Sequence, residues 1–106
     1  MFNKYILFSI IWLIFNGPVL AIDINTLMLV NNCVGCHGPN GSSLGPATPS
    51  IAGIPKPSFI QIMQQIKTNK RPTTIMGRIA RGYTDKEIEM MAEFFSKQRI
   101  KNVKAK

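Results

Sequence analysis

Both cysteines and the only histidine of the chain lie within the single stretch Cys33-Val-Gly-Cys36-His37. No other feature restricts the fold as strongly. Three side chains that bind metals or form covalent links are gathered at one point, and the remaining residues must fold around whatever they hold. From Gly38 to Pro57 the run GPNGSSLGPATPSIAGIPKP is dense in glycine and proline, so it neither continues a helix nor alternates as a strand would. A loop of this length inside a small domain is usually functional.

Around that loop the periodicity is helical. Residues 24–32, INTLMLVNN, place Leu27, Val30 and Cys33 at helical spacing and predict a short helix leading into the motif. In PSFIQIMQQIKTNK, Ser58 serves as a candidate N-cap and Phe59, Ile62, Met63 and Ile66 form one apolar stripe. After Pro72, TTIMGRIARGY is too short and too interrupted by glycine for a long helix and reads as an irregular segment. The last helix is the clearest: Thr84 and Glu87 make a T-x-x-E capping box, followed by Ile88, Met91, Ala92 and Phe95 at helical intervals. No segment has the pattern of a β-strand. The expectation is an all-α domain of three to four helices wrapped around a structured loop.

The N-terminus has a different character. Lys4 is the only charge before Asp23, and between them run YILFSIIWLIF, the helix-breaking NGP and then VLA. A basic start, a short apolar run and small residues before a cut describe a secretory signal peptide, with cleavage expected after Ala21. An uncleaved anchor is the alternative, although a spanning helix needs about 20 apolar residues and this run has fewer. Residues 1–21 are therefore read as the signal and 22–106 as one domain, working outside the cytoplasmic membrane and with no membrane span after cleavage. So small a domain buries little apolar surface and commonly recruits a disulfide, metal or cofactor. The formal net charge is +8, and every Lys and Arg other than Lys4 lies from Lys56 onward. Export argues against nucleic acid, leaving an acidic protein or anionic surface as partner classes. The tail SKQRIKNVKAK reads as solvated.

Three chemistries suit the motif. Structural zinc wants four protein ligands, usually in two separated pairs; here there is one pair and one adjacent histidine. A redox dithiol usually sits at the start of a helix after a strand, whereas this motif sits at the end of a predicted helix in a chain without strands. The third reading is covalent haem attachment, for which C-x-x-C-H is the specific signature: Cys33 and Cys36 as thioether anchors of one haem c, His37 as an axial ligand. The second ligand must then come from a methionine. Met28 belongs to the near side of the motif, Met63 and Met91 lie on packing stripes, and Met90 points off its stripe. Met76, between Ile75 and Gly77, sits where an irregular segment can turn its thioether inward, and is the expected ligand. A thioether raises the reduction potential and fills the axial site, which argues for a carrier and against catalysis at the haem itself. An axial histidine usually donates its other N–H to a carbonyl. Pro46 and Pro49 are the candidates, with Pro49 preferred and Ile51 packing on the ring.

Taken together, CVGCH, the Pro-x-Ile-x-Gly segment at Pro49–Gly53, a loop methionine and a capped C-terminal helix resemble class I cytochrome c. CVGCHGPNGSSLGPATPSIAG and TTIMGRIARGYTDKEIEMMAEFFSKQ further resemble the haem-binding subunits of flavocytochrome c sulfide dehydrogenase. That resemblance implies an electron-transfer subunit that is not catalytic alone, paired with a sulfide-oxidising flavoprotein and passing electrons to a soluble acceptor. It also implies that Arg78, Arg81 and Tyr83 lie near the distal edge or the flavoprotein contact. Some members carry two cytochrome domains in tandem; this chain, with a single C-x-x-C-H, resembles the one-haem form, or one half of the two-haem form standing alone. The alternative is an independent soluble carrier delivering electrons to a terminal oxidase or another periplasmic acceptor.

Overall fold

The computed structural model describes residues 3–14 and 23–100, and among these there is no strand. Five helices follow in order: α1 Lys4–Ile14, α2 Ile24–His37, α3 Lys56–Lys67, α4 Met76–Arg81 and α5 Asp85–Ser96, with a 3₁₀ turn at Pro39–Gly41. Helix α1 covers residues 5–14 of the apolar run assigned to the signal, and the rest of that run and the cleavage point after Ala21 lie outside the described residues. Among the described residues no helix is long and apolar enough to cross a membrane. Helices α2 to α5 form the expected bundle.

α5 forms as its sequence dictates. Thr84 Oγ1 accepts a hydrogen bond from the Glu87 amide at 3.2 Å, satisfying one of the N–H groups that a helix start leaves without a partner. The stripe it launches, Ile88, Met91, Ala92 and Phe95, is fully buried. This face packs on α2 and α3, where Phe59 stacks against Phe95 with ring centroids 5.8 Å apart. On its exposed flank Lys56 pairs with Glu89 and Glu93, and Lys67 with Asp85.

Three elements differ from the sequence reading. α3 begins at Lys56 and not after Ser58: its N-cap is Pro55, with Pro57 in the first turn. A first-turn proline costs no hydrogen bond, because the N–H it lacks has no partner there. α2 does not stop before the motif but carries it, with Cys33, Cys36 and His37 all within its last turns. Gly38 ends it at φ +86°, where a Cβ would run into the Ser42 carbonyl. Met76 is the first residue of the six-residue helix α4; the irregular segment is the connection before it. α4 is seated by Ala80, which has no exposed surface.

The glycine and proline-rich loop is pinned rather than slack. The Gly41 carbonyl accepts from the amides of Ile51 and Ala52 at 2.8 and 3.1 Å, and the Gly53 amide donates to the Phe95 carbonyl at 2.8 Å. Gly41 lies at φ +81°, and a Cβ there would come within 2.8 Å of Ile51 Cγ1 and Phe95 Cδ1. The loop's two limbs are joined where the Ser43 amide meets Ser50 Oγ at 2.9 Å. These ties fix Pro49 in space.

Candidate functional site

His37 is buried at 7 % exposure, and its Nδ1 stands 2.6 Å from the Pro49 carbonyl oxygen. A carbonyl only accepts, so Nδ1 must carry the proton. Nε2 is then left with its lone pair, which is the form of imidazole that binds a metal. Of the two prolines considered, Pro49 is the one that supplies this carbonyl and lines the cavity beside it, and Pro46 does neither.

His37 lines a cavity of about 440 Å³. Cys33, Pro49, Ile51, Ile54, Phe59, Ile62, Met63, Ile66, Met76, Ile79 and Tyr83 complete most of its wall, and among the described residues Arg71 is its one charged side chain. The volume falls within the range of about 300–1,000 Å³ usual for ligand sites. The structure thus brings Cys33, His37, Pro49, Ile51 and Met76 to one place. Cys36, in the same helix, is exposed and does not line the cavity.

The other methionines sort by position. Met28 is 65 % exposed, Met91 is sealed in the core with its sulfur 3.8 Å from Cys33 Sγ, and Met90 lines a separate charged cleft with Lys56, Glu89 and Glu93. Two thioethers therefore reach the cavity, Met63 from the middle of α3 and Met76 from the start of α4. Met63 is buried among the core residues while Met76 is half-buried against them. A short helix after an irregular connection can reposition its first residue more readily than a helix locked by Phe59 and Ile66 on the same face can reposition its middle.

The thiols are both free. Burial pushes the Cys33 thiol above its ordinary range, and the neighbouring Cys36 raises it further. A thiol held protonated is a poor nucleophile for disulfide exchange. Among the described residues no three His, Cys, Asp or Glu side chains converge as a metal cluster, which leaves zinc without a ligand set.

An apolar cavity with one imidazole lone pair and thioether sulfur on its walls, and the C-x-x-C-H thiols beside it, suits a haem. Residues 21–103 match the cytochrome c family. The chain belongs to that family. Its members bind haem c covalently and transfer electrons with it, and the helical domain without strands described here is a class I cytochrome c fold. The chain is 42 % identical over 72 residues to the cytochrome subunit of sulfide dehydrogenase from Chlorobaculum tepidum, covering 67 % of this chain and 64 % of that one. It is 33 % identical over 70 residues to a thiosulfate dehydrogenase electron acceptor from Stutzerimonas stutzeri, covering 63 % of this chain and 32 % of that one. With cytochrome c4 from Pseudomonas aeruginosa the identity is 29 % over 68 residues, 64 % of this chain and 34 % of that one. The chain thus spans under two thirds of the first relative's length and about a third of the others.

Sequence reasoning overlooked several residues at the site. Arg71, Thr73 and Thr74, in the connection before α4, line the cavity. Lys67 Nζ donates to the Tyr83 carbonyl at 2.6 Å, tying the end of α4 to α3. Their only signal was position, next to the chosen methionine. Of the residues implied by resemblance, Tyr83 lines the cavity, whereas Arg78 and Arg81 line a neighbouring polar cleft.

Proposed function

We propose that this chain is an exported one-haem electron carrier, with Cys33 and Cys36 as covalent anchors and His37 and Met76 as axial ligands. The observation that carries the reading is the His37–Pro49 hydrogen bond on the wall of an apolar cavity that Met76 also reaches. The bound haem supplies one-electron redox chemistry at its iron. The chain's own work is to hold the imidazole at a fixed tautomer, exclude water with Ile51, Ile54, Ile62 and Ile79, and present sulfur on the cavity wall. If His37 and Met76 both hold the iron, oxygen or peroxide would find no open position there, which favours a carrier over a peroxidase or gas sensor.

The electron donor we propose is a flavoprotein that oxidises sulfide, the chain serving as its cytochrome subunit in the periplasm after removal of residues 1–21. The likeness to the Chlorobaculum tepidum subunit supports this. The second reading, an independent carrier accepting electrons from another dehydrogenase, draws on the Stutzerimonas stutzeri relative. Mixing the haem-loaded protein with a sulfide dehydrogenase flavoprotein and sulfide separates them. Fast haem reduction in a complex that survives gel filtration is expected. Reduction no faster than with sulfide alone, and no stable complex, would favour the independent carrier.

A further inference from the structure

Every ion pair among the described residues takes its cation from a lysine: Lys56, Lys67, Lys86 and Lys97 face Asp85, Glu89 and Glu93. The arginines are placed otherwise. Arg71, Arg78 and Arg81 line one polar cleft of about 270 Å³ with Asn69, Thr73 and Gly77, and among the described residues no carboxylate lines it. Like charges gathered without a counter-charge repel one another, and the field over such a cleft concentrates anions.

The cleft is also shaped. Arg81 Nη1 donates to Asn69 Oδ1 at 3.2 Å, which holds one guanidinium in place. The Gly77 amide donates to Thr73 Oγ1 at 2.9 Å. A Cβ on Gly77 would stand 3.3 Å from Thr73 Oγ1 and 3.5 Å from Arg81 Nη1, filling the space between them. Gly77 is helical and lies at no positive φ, so its backbone does not require glycine; the missing side chain leaves room. The volume is below the usual range of about 300–1,000 Å³ for drug-sized ligands and suits a single small ion. Arg71, Thr73 and Thr74 line both this cleft and the haem cavity.

We propose that the cleft binds a small inorganic oxyanion of the phosphate or sulfate class, and that its occupancy lowers the reduction potential of the haem. Guanidinium forks match oxyanions with paired hydrogen bonds. The binding half rests on the cleft alone, and the coupling half rests on the haem reading of the adjoining cavity. A negative charge one side chain away from the cavity favours the oxidised, more positive iron. By linkage the oxidised protein then binds the anion more tightly by the same factor.

The test is to measure the midpoint potential of the haem-loaded protein against phosphate, and separately sulfate, at ionic strength held constant with chloride, with calorimetric titration of the oxidised protein alongside. A saturable fall is expected: tenfold tighter binding to the oxidised form corresponds to about 59 mV for a one-electron couple. The double variant Arg78→Gln, Arg81→Gln is expected to lose both binding and shift while keeping its optical spectrum. Lys97→Gln, which removes a lysine paired with Glu93, is expected to keep both. Saturable binding with no change in potential overturns the coupling. No saturable binding of either anion overturns the site. A protein that binds phosphate but takes up no haem overturns the haem reading and with it the coupling, while the site stands.

Discussion

The two sides of the apolar core are finished to different degrees. On the α5 side, Ile88, Met91, Ala92 and Phe95 show no exposed surface, packed by α2 and α3. On the other, Ile51, Ile54, Ile62, Met76 and Tyr83 belong to the same core but stay half-buried around a cavity of about 440 Å³. Protein interiors are close-packed, with few voids larger than a water molecule, so an apolar hollow of this size marks a place for something other than protein. The sealed side is what the sequence completes by itself; the open side is what the cofactor completes.

Withholding the cofactor is expected to have the largest effect. The Cys33→Ala, Cys36→Ala variant of residues 22–106, without haem, is expected to be largely unfolded, because ligand binding to the folded state supplies its stability. A cooperative thermal transition in its circular dichroism at ordinary temperatures would show that the sealed side suffices alone.

Truncation on the sealed side comes next. Phe95→Ala in the haem-loaded protein removes the ring stacked on Phe59 and set edge-on to Phe94, and is expected to cost about 3–5 kcal/mol in denaturant unfolding. Ile54→Ala, beside the cavity and already half-exposed, is expected to cost clearly less. Equal losses would erase the distinction between the two sides.

Smaller effects sharpen the edge of the sealed region. Thr84→Ala deletes the cap on Glu87 and is expected to cost about 0.5–2 kcal/mol, with unchanged haem absorption. The Asp85 carboxyl is held below its ordinary range first by a hydrogen bond from Gln64 and then by Lys67. A carboxylate with a depressed folded value contributes stability above its unfolded value, and that contribution fades as pH falls through the folded one. Stability should therefore decline below about pH 4, near the ordinary carboxylate value, and Asp85→Asn should flatten that decline slightly. An acid limb identical in the variant would remove Asp85 from the account.

The same contrast explains what could be read in the sequence. α5 was legible because capping and period agree, Thr84 with Glu87 and then four buried residues in register. Pro49 was legible because a histidine ligand needs a carbonyl and the loop offered two prolines. The start of α3 was misplaced because Pro55 and Pro57 look like loop, and only the orphaned first-turn amides make them acceptable in a helix. The extension of α2 through Gly35 and Cys36 was hidden because glycine weakens a helix, and packing of Val30 and Cys33 on the core overrides it. Arg71, Thr73 and Thr74 carried no local pattern, since their place at the cavity is set by how the connection between α3 and α4 folds back.

The pairing of His37 with Met76 is tested by the near-infrared spectrum of the oxidised, haem-loaded protein, where methionine ligation to ferric iron gives a weak charge-transfer band. The band is expected in the parent and in Met63→Leu, and its loss in Met76→Ala. A band that survives in Met76→Ala, or that never appears in the parent, would contradict His37 and Met76 as the ligand pair.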